Sequence, residues 1–569
     1  MNAKELNEMC GMMFGKRSSL LSLWQEQADN FYPERADFTY QRSLGTDFAA
    51  NLMSSYPVVV RRELSDQITT MLRPTAKPWF HMAAVDQARE DNEAKRWMQW
   101  ADDTMRRAMY DRKSQFTRAT KEGDSDFACF GQTVISIRLN KRADALLYRC
   151  HHLRDCVWKE DDDGSLPLVA RRWKPGAREL YGMFGDKCHP NVIAMATTQN
   201  KPFEDVECTH MVVASDLYSG PIDTYERDAV TGDRKPSRRE IAQGERERYP
   251  YVHLTYDSAH ETILEAKCSH NKEYIVPRWQ TVSGSQYAFS PATVAGLPEA
   301  RLIQAMAYTL LEAGEKVTNP PMIATVDVVR SDMAIYAGGT TWVDRDYDER
   351  MGDALRPMNI DGKGMPLGLE MVQDSRQMLA QCFYINKLTL PTRRPEMTAY
   401  EVGQYVAQYI RDAMPIFEPM EQTYNGDLCE TTFDLSRRAG MFGNPMDMPP
   451  TLQGAELQFR FESPLHDAIE QQKGQKFLEM KGLIAQAVEM DQSAAALPDW
   501  KAALRDALMG IQVDAKWIRS EVTVQQIEDQ QKAAKEAQET LAAMQQGSEI
   551  ATNLGAAQRD TAQAQALAA

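Results

Sequence analysis

Several chemistries are missing from this sequence. Basic residues are not in excess: 65 lysines and arginines stand against 81 aspartates and glutamates, a formal net charge of −16. A sequence-reading DNA binder needs a basic footprint, and the chain as a whole has none, although local basic contacts remain open to it. No run of about 18 apolar residues occurs, so no helix is expected to span a membrane. Met1 to Leu20 carries charges and no continuous apolar stretch, so no secretory signal is expected. The nine cysteines are odd in number and scattered, without the spacing of a disulfide framework. Together these point to a reducing compartment with thiols mostly free.

Catalytic signatures are also absent. There is no G-x-S-x-G, H-E-x-x-H or G-x-G-x-x-G, so nucleophile, metalloprotease and dinucleotide chemistry have no anchor. Gly11-Met12-Met13-Phe14-Gly15-Lys16-Arg17-Ser18 approaches a phosphate loop. That loop needs four residues between its glycines and a hydroxyl directly after lysine; here three intervene and Arg17 takes the hydroxyl place. Cys150, His151, His152 and Cys156 lie close in sequence, as do Cys188, His189, Cys208 and His210. Neither set repeats the paired short spacings of zinc ligands. Both are expected to be solvent-facing histidines and small buried cysteines on strands, with no metal. Asp161 to Gly164 fails as a calcium loop, since Lys159 and Ala170 fall at its first and last ligand places; it predicts a hairpin turn. No cofactor is expected, and the chain is expected not to be an enzyme.

What is present is a foldable chain: 43% apolar, 9% aromatic and 26% charged over 569 residues, enough for two or more packing units. Leu20, Leu23, Trp24, Gln27, Ala28 and Phe31 form a helical stripe stopped by Pro33. Leu64, Ile68, Met71 and Leu72 form another, stopped by Pro74. Trp97, Trp100, Ala101, Thr104 and Ala108 give a third, read as core-facing. From Gly131 to about Gln280 the pattern turns to short strands. Leu297-Pro298-Glu299 opens a helix with the face Leu302, Ala305, Met306, Leu310, Ala313 and Val317, ended by Asn319-Pro320-Pro321. After an irregular insert a second helix is predicted from Met371 to Leu388, then a breaker, Leu390-Pro391-Thr392-Arg393-Arg394-Pro395. Thr398-Ala399-Tyr400-Glu401 has capping-box spacing and opens a long helix that Pro415 and Pro419 must kink. Leu457 to Phe461 reads as a strand, and Ser463-Pro464 as the start of another helix. The Gln/Ala-rich segment from Thr523 has only a thin apolar seam (Ile527, Ala534, Leu541, Met544) that needs partner helices. The fold class is α+β, mainly helical.

Four stretches in order resemble the portal, or head-to-tail connector, proteins of short-tailed bacteriophages. They are Trp24…Phe31-Tyr32-Pro33 with Lys77-Pro78-Trp79-Phe80; Leu297 through Lys316-Val317-Thr318-Asn319-Pro320-Pro321; Met397-Thr398-Ala399-Tyr400-Glu401-Val402; and Ser463-Pro464-Leu465. Each is short; their order from about Leu20 to Glu521 is what is specific. The resemblance implies a ring subunit, one of twelve. It implies a helical and β-rich wing (1–296), a first stem helix (297–319), a clip (320–370) and a second stem helix (371–389). A channel loop (390–397), a kinked long helix returning to the wing (398–490), crown helices (491–546) and a disordered tail (547–569) complete the layout. Its implied partners are double-stranded DNA passing without sequence recognition, a terminase, a tail adaptor and the major capsid protein, with no membrane. The implied place is the head–tail vertex of the virion, and the host cytoplasm during assembly. Lys387, Arg393 and Arg394 near the channel loop either touch DNA phosphates or make salt bridges within the ring. A minor capsid or scaffold-type assembly protein is the rival reading, and the central β-rich region argues against it.

Overall fold

The computed structural model describes residues 1–43, 45–50, 52–75, 77–86, 91–227, 234–324, 342, 350, 355–358, 364–388, 399–444, 448–461, 477–486, 500, 503–504, 507–508, 524, 526–527, 529–536 and 538. Statements below concern these residues. The chain forms two compact units: Met1–Met82 with Ala101–Pro445 and Gln458–Leu465, and Ala83–Trp100 with Met446–Leu457 and His466–Ala569.

The first unit opens with α1 (Ala3–Lys16), α2 (Ser18–Phe31) and α3 (Tyr56–Leu72). Asn2 and Glu5 cap α1 reciprocally, which satisfies backbone N–H groups that a helix start leaves bare. The would-be phosphate loop is therefore helix up to Lys16. Arg17 beyond it is buried and donates to the carbonyls of Leu153 and Cys156 at 2.8 and 2.7 Å. Pro33 ends α2 as expected and begins a 3₁₀ turn.

β1 (Phe80–Ala84) and α4 (Asn92–Met109) follow. The buried face of α4 is Ala94, Met98, Ala101, Met105 and Met109. Trp100 is 47% exposed, so the expected tryptophan-led core stripe is corrected by about one residue around the helix. Between Gly131 and Gln280 the expected strands are found: β2 (Val134–Leu139), β3 (Leu146–His151), β4 (Cys156–Lys159), β5 (Leu168–Trp173), β6 (Cys208–Ala214), β7 (Pro221–Arg227), β8 (Arg234–Glu240), β9 (Tyr251–Asp257), β10 (Thr262–Ser269) and β11 (Tyr274–Ile275). Helix α5 (Phe116–Phe130) precedes these strands, and α6 (Ala177–Phe184), α7 (Pro190–Thr197) and α8 (Gln243–Arg248) are interleaved with them.

The strands make a five-stranded antiparallel sheet, order β10-β9-β6-β5-β4, a three-stranded sheet, order β11-β2-β3, and the β7–β8 pair. The Asp161–Gly164 segment is the tight β4–β5 turn, with Gly164 at φ +78° and its N–H on the Asp161 carbonyl. One face of the five-stranded sheet (Leu168, Ala170, Met211, Val213, Val252, Leu254) is sealed by Ala3, Leu6 and Cys10 of α1. Toward its other side α6 and α7 pack through Leu180, Val192, Cys208 and Leu264.

Buried charges tie the helices together. Arg73, at the end of α3, pairs with Asp124 of α5 and donates to Asn425 at 2.8 Å. Asn425 returns a bond to the Leu72 carbonyl at 3.1 Å. Its position comes from the helix with the two prolines: α12 (Ala399–Met420) runs through Pro415 and Pro419, then slips into a π turn at Glu421–Asn425 before α13 (Gly426–Arg438). Missing proline donors weaken the helical ladder, and a π turn is one way the chain absorbs that. The Thr423 hydroxyl donates to the Pro419 carbonyl at 2.8 Å.

Between these lie α9 (Leu297–Thr318), β12 (Met322–Ala324), β13 (Leu355–Pro357), α10 (Gly364–Cys382) and α11 (Ile385–Leu388). The second long helix thus begins at Gly364 rather than Met371 and breaks at Tyr384, where φ is +60°. β14 (Leu457–Phe461) has the predicted bounds. Residues 389–398, 462–476 and 539–569, which hold the breaker, the Ser463-Pro464 helix start and the C-terminal tail, lie outside the described residues. In the second unit the Trp97 and Trp100 rings lie 6.3 Å apart and tilted, Phe477 meets Trp500 at 6.5 Å, and the Val85 N–H bonds the Glu456 carbonyl at 3.0 Å. No described helix is long and apolar enough to cross a membrane, and all nine cysteines are free. The architecture is α+β and mainly helical.

Candidate functional site

Two surfaces carry the residues singled out from the sequence. The first is the pair α9 and α10. Pro298 lies in the first turn of α9 with Glu299, a start that spends no helix donor and places a carboxylate at the positive end of the dipole. Only the first turns are seated, through Leu297, Ala300 and Ile303. At the other helix Leu379 and Phe383 are buried, the Phe383 ring lying 5.3 Å from Phe31. Beyond these anchors the predicted apolar face is not enclosed. Met306, Leu310, Ala313 and Val317 line an open groove of about 460 Å³ with Met365 and Gly368. A Cβ on Gly368 would stand 2.7 Å from a Leu310 methyl, so the Leu310 side chain packs directly over this glycine. Outside the groove Tyr308, Leu311, Leu367, Leu369, Met371 and Met378 are all exposed, Leu311 and Leu367 by 60% and 62%. A 22-residue helix is about 33 Å long, so this apolar surface is extended and more than a scatter of single residues.

Lys387 lies exposed in the last turn of α11, its ammonium 6.0 Å from the Tyr384 ring centre. Arg393 and Arg394 lie outside the described residues. The three predicted channel residues are therefore not seen together.

The second surface holds the histidines and cysteines of the β-rich region. Neither sequence cluster converges. Cys150 contacts Asp126 at 3.6 Å, His151 is buried and bonds Ser136 at 2.9 Å, and His152 pairs with Asp37. Burial first, then the charges of Arg171 and Arg149, holds the His151 imidazole well below its ordinary value. Cys188 and Cys208 pack in the apolar cluster under α6 and α7, while His189 caps α7 and stacks on His260 at 4.4 Å. Cys156 and Cys208 fit the expectation of buried strand cysteines, whereas Cys150 is only partly buried and Cys188, though buried, lies outside the strands; His151, His152 and His210 are corrected, being buried or partly buried rather than solvent-facing.

His210 instead meets two residues far away in sequence. In the β6–β9 register His210 faces Thr255 and Val212 faces His253, so the two histidines are diagonal neighbours on one face of the sheet. Glu273, in the link from β10 to β11, brings its carboxylate 3.8 Å from His210 Nε2 and 3.1 Å from His253 Nδ1. The side chains are 16%, 19% and 12% exposed for His210, His253 and Glu273. His210 Nδ1 lies 2.8 Å from the Tyr274 hydroxyl, and His253 Nε2 lies 2.8 Å from the Asn271 carbonyl. Burial pushes His210 down to about 4. It opposes charge on His253 too, but the Glu273 carboxylate raises that imidazole. Glu273 is brought down to about 2: burial would raise it, and the two histidines more than offset that. Sequence spacing could not find this set, because 43 and 20 residues separate its members, counted from 210 to 253 and from 253 to 273.

The fold is thus mainly helical α+β, with apolar rows of two long helices left exposed. Residues 3–519 match the family described as bacteriophage head to tail connecting protein, and the chain belongs to that family. It is 20% identical over 476 residues to the portal protein of Salmonella phage epsilon15, covering 82% of this chain and 79% of that protein. Among solved structures it is similar to a chain of the virion of a native gene transfer agent particle (TM-score 0.32, 8% identity, 84% of this chain and 98% of that one). A chain from the neck of an empty gene transfer agent particle matches at TM-score 0.32 and 9% identity, covering 74% and 89%. The resemblance read from the four sequence stretches is borne out at family level: this is a structural component of the phage head–tail connection.

Proposed function

We propose that the chain is a portal subunit, and that twelve copies close into a ring at the head–tail vertex through which double-stranded DNA is packaged and ejected. The match to the connector family across residues 3–519 carries this reading. The exposed apolar rows on α9 and α10 support the ring, because cyclic symmetry closes head-to-tail contacts and buries such rows against the next copy. The subunit works without catalysis of its own, as a channel and a docking platform for the terminase, the tail adaptor and the major capsid protein. It assembles in the host cytoplasm. With a net charge of −16, the channel guides the duplex by repulsion more than by grip, and Lys387, Arg393 and Arg394 supply weak, salt-sensitive phosphate contacts at its narrowest part.

Native mass measurement and negative-stain imaging of the purified protein test the ring. A closed ring with a central hole, formed without DNA or nucleotide, is expected; monomers alone across a range of salt and concentration would overturn it. For the channel loop, replacing Arg393 and Arg394 by alanine is expected to leave rings intact and lower the DNA retained per particle. Full heads at normal yield would remove the assigned role, and broken rings would reassign both arginines to the subunit interface.

A further inference from the structure

We propose that His210, His253 and Glu273 form a divalent transition-metal site, best suited to zinc, that clips the five-stranded sheet of the wing to the β11-β2-β3 sheet. This site does not depend on the portal reading. The Asn271 carbonyl can only accept, so His253 Nε2 must carry the proton it donates there. That leaves Nδ1 of a neutral His253 as a bare lone pair, 3.1 Å from a carboxylate oxygen. Two lone pairs facing at that distance repel unless a cation lies between them, whether a proton or a metal ion.

The surroundings favour the metal. The Tyr274 hydroxyl holds His210 Nδ1, which turns Nε2 toward Glu273, and Asn271 does the same for the other ring. Such outer contacts fix the rotation and tautomer of metal-binding histidines. All three ligand atoms lie within 4.8 Å of one another. In a tetrahedral zinc site with ligands at about 2.0–2.1 Å, ligand atoms stand about 3.3 Å apart. The observed 3.1 and 3.8 Å therefore need only small side-chain shifts. Two imidazoles and one carboxylate suit zinc and leave a fourth position for water.

Glu273 adds an independent mark. It is one of the few non-glycine residues with positive φ, at +55°, a conformation that costs energy for an L-residue and is kept where it aims a side chain. Its position also gives the site a structural consequence. The histidines come from β6 and β9, whereas Glu273 directly precedes Tyr274 of β11, which pairs with Ser136 of β2. A shared ion would join the two sheets. Arg171, opposite His210 in the register, and Arg138, whose charge acts on Glu273, oppose a dication and keep the affinity below that of a closed thiolate site.

The test uses the full-length assembled protein, stripped with a chelator, supplied with zinc sulfate and desalted. Elemental analysis is expected to find stoichiometric zinc per chain, and zinc is expected to raise the melting temperature of the stripped protein. His253→Gln and Glu273→Gln are expected to abolish retention. Tyr274→Phe, which removes only the hydroxyl that orients His210, is expected to weaken binding about tenfold. Should a variant fail to fold, cobalt(II) loaded into the wild-type protein reads the donors directly. Visible bands of a tetrahedral nitrogen–oxygen site without sulfur-to-cobalt charge transfer are expected. A thiolate band would move the metal to the cysteines and overturn the assignment. Absence of retained zinc in the wild type would overturn it equally, leaving His253 and Glu273 as a buried ion pair.

Discussion

The N-terminal α/β region and the paired helices use the same kinds of side chain to opposite ends. In the N-terminal region, Trp24 is 2% exposed and meets Phe38, Phe130 and Tyr287 at 5.6, 6.2 and 5.9 Å. Along α9 and α10, leucines and methionines at helical spacing stand in solvent, Leu311 at 60% and Leu367 at 62%. A single chain therefore closes the first region by itself and leaves the second open. Hydrophobic periodicity says that a helix has an apolar face; it does not say whether its own chain or another copy covers that face.

The largest expected effect tests the closed region. Trp24→Ala is expected to cost about 3–5 kcal/mol, since it empties a site packed by three aromatic rings; denaturant unfolding of the subunit measures it. A loss below about 1 kcal/mol would mean that the N-terminal region is loosely packed and that the contrast fails. Gly131→Ala comes next. Gly131 has φ +75° and caps α5, and an added Cβ would stand 2.6 Å from the Phe289 backbone. Steric and conformational strain of about 1–3 kcal/mol is expected, visible as a lower melting temperature.

A smaller, pH-dependent effect belongs to the same region. Burial works to raise the Asp37 carboxyl, but its hydrogen bond from His152 and the charge of Arg154 hold it below its ordinary value. Asp223 is held down similarly by Lys187 and Arg238, at 2.8 and 2.7 Å. A carboxylate whose folded value lies below its unfolded one stabilises the fold above about pH 4 and loses that contribution as pH falls further. Wild-type stability is thus expected to decline below pH 4, and Asp37→Asn to flatten that decline. Parallel acid titrations of the two proteins would show an unchanged slope if Asp37 is not linked.

The smallest effect on the subunit is expected from the open region. Leu311→Ser should shift subunit stability by less than about 0.5 kcal/mol and yet weaken ring formation. Sedimentation of the variant separates the two outcomes. Intact rings would place Leu311 away from the contact between copies, and a misfolded subunit would show that α9 is already covered within its own chain.

Much of the fold was legible in the sequence where local rules act alone. The α2 stripe and its Pro33 stop, the Asp161–Gly164 turn, the Pro298 helix start and the bounds of β14 were all readable, because each depends on a few neighbouring residues. Failures have specific causes. In α4 the bulky Trp97 and Trp100 drew the apolar face toward themselves, whereas the buried face is the smaller set Ala94, Met98, Ala101, Met105 and Met109. In α5 the acids Asp124 and Asp126 obscured the pattern; they are buried because Arg73 and Arg35, distant in sequence, neutralise them. The His151 and His210 environments were misjudged for a related reason, since polarity alone suggests solvent, whereas the paired strand β2 supplies Ser136 to His151 and the β11 region supplies Glu273 and Tyr274 to His210.

By itself, the sequence determined the mainly helical α+β class, the presence of two long helices in the order α9 then α10, and the connector family, because periodicity, proline stops and motif order are written along one dimension. The tertiary structure decided what depends on residues far apart meeting: Arg73 with Asp124 and Asn425, and His210 with His253 and Glu273. It also decided which apolar faces the chain covers. Closing a distant contact is a property of strand register and helix packing, so one face of β6 and β9 brought His210, His253 and Glu273 together while α9 and α10 were left with exposed leucines.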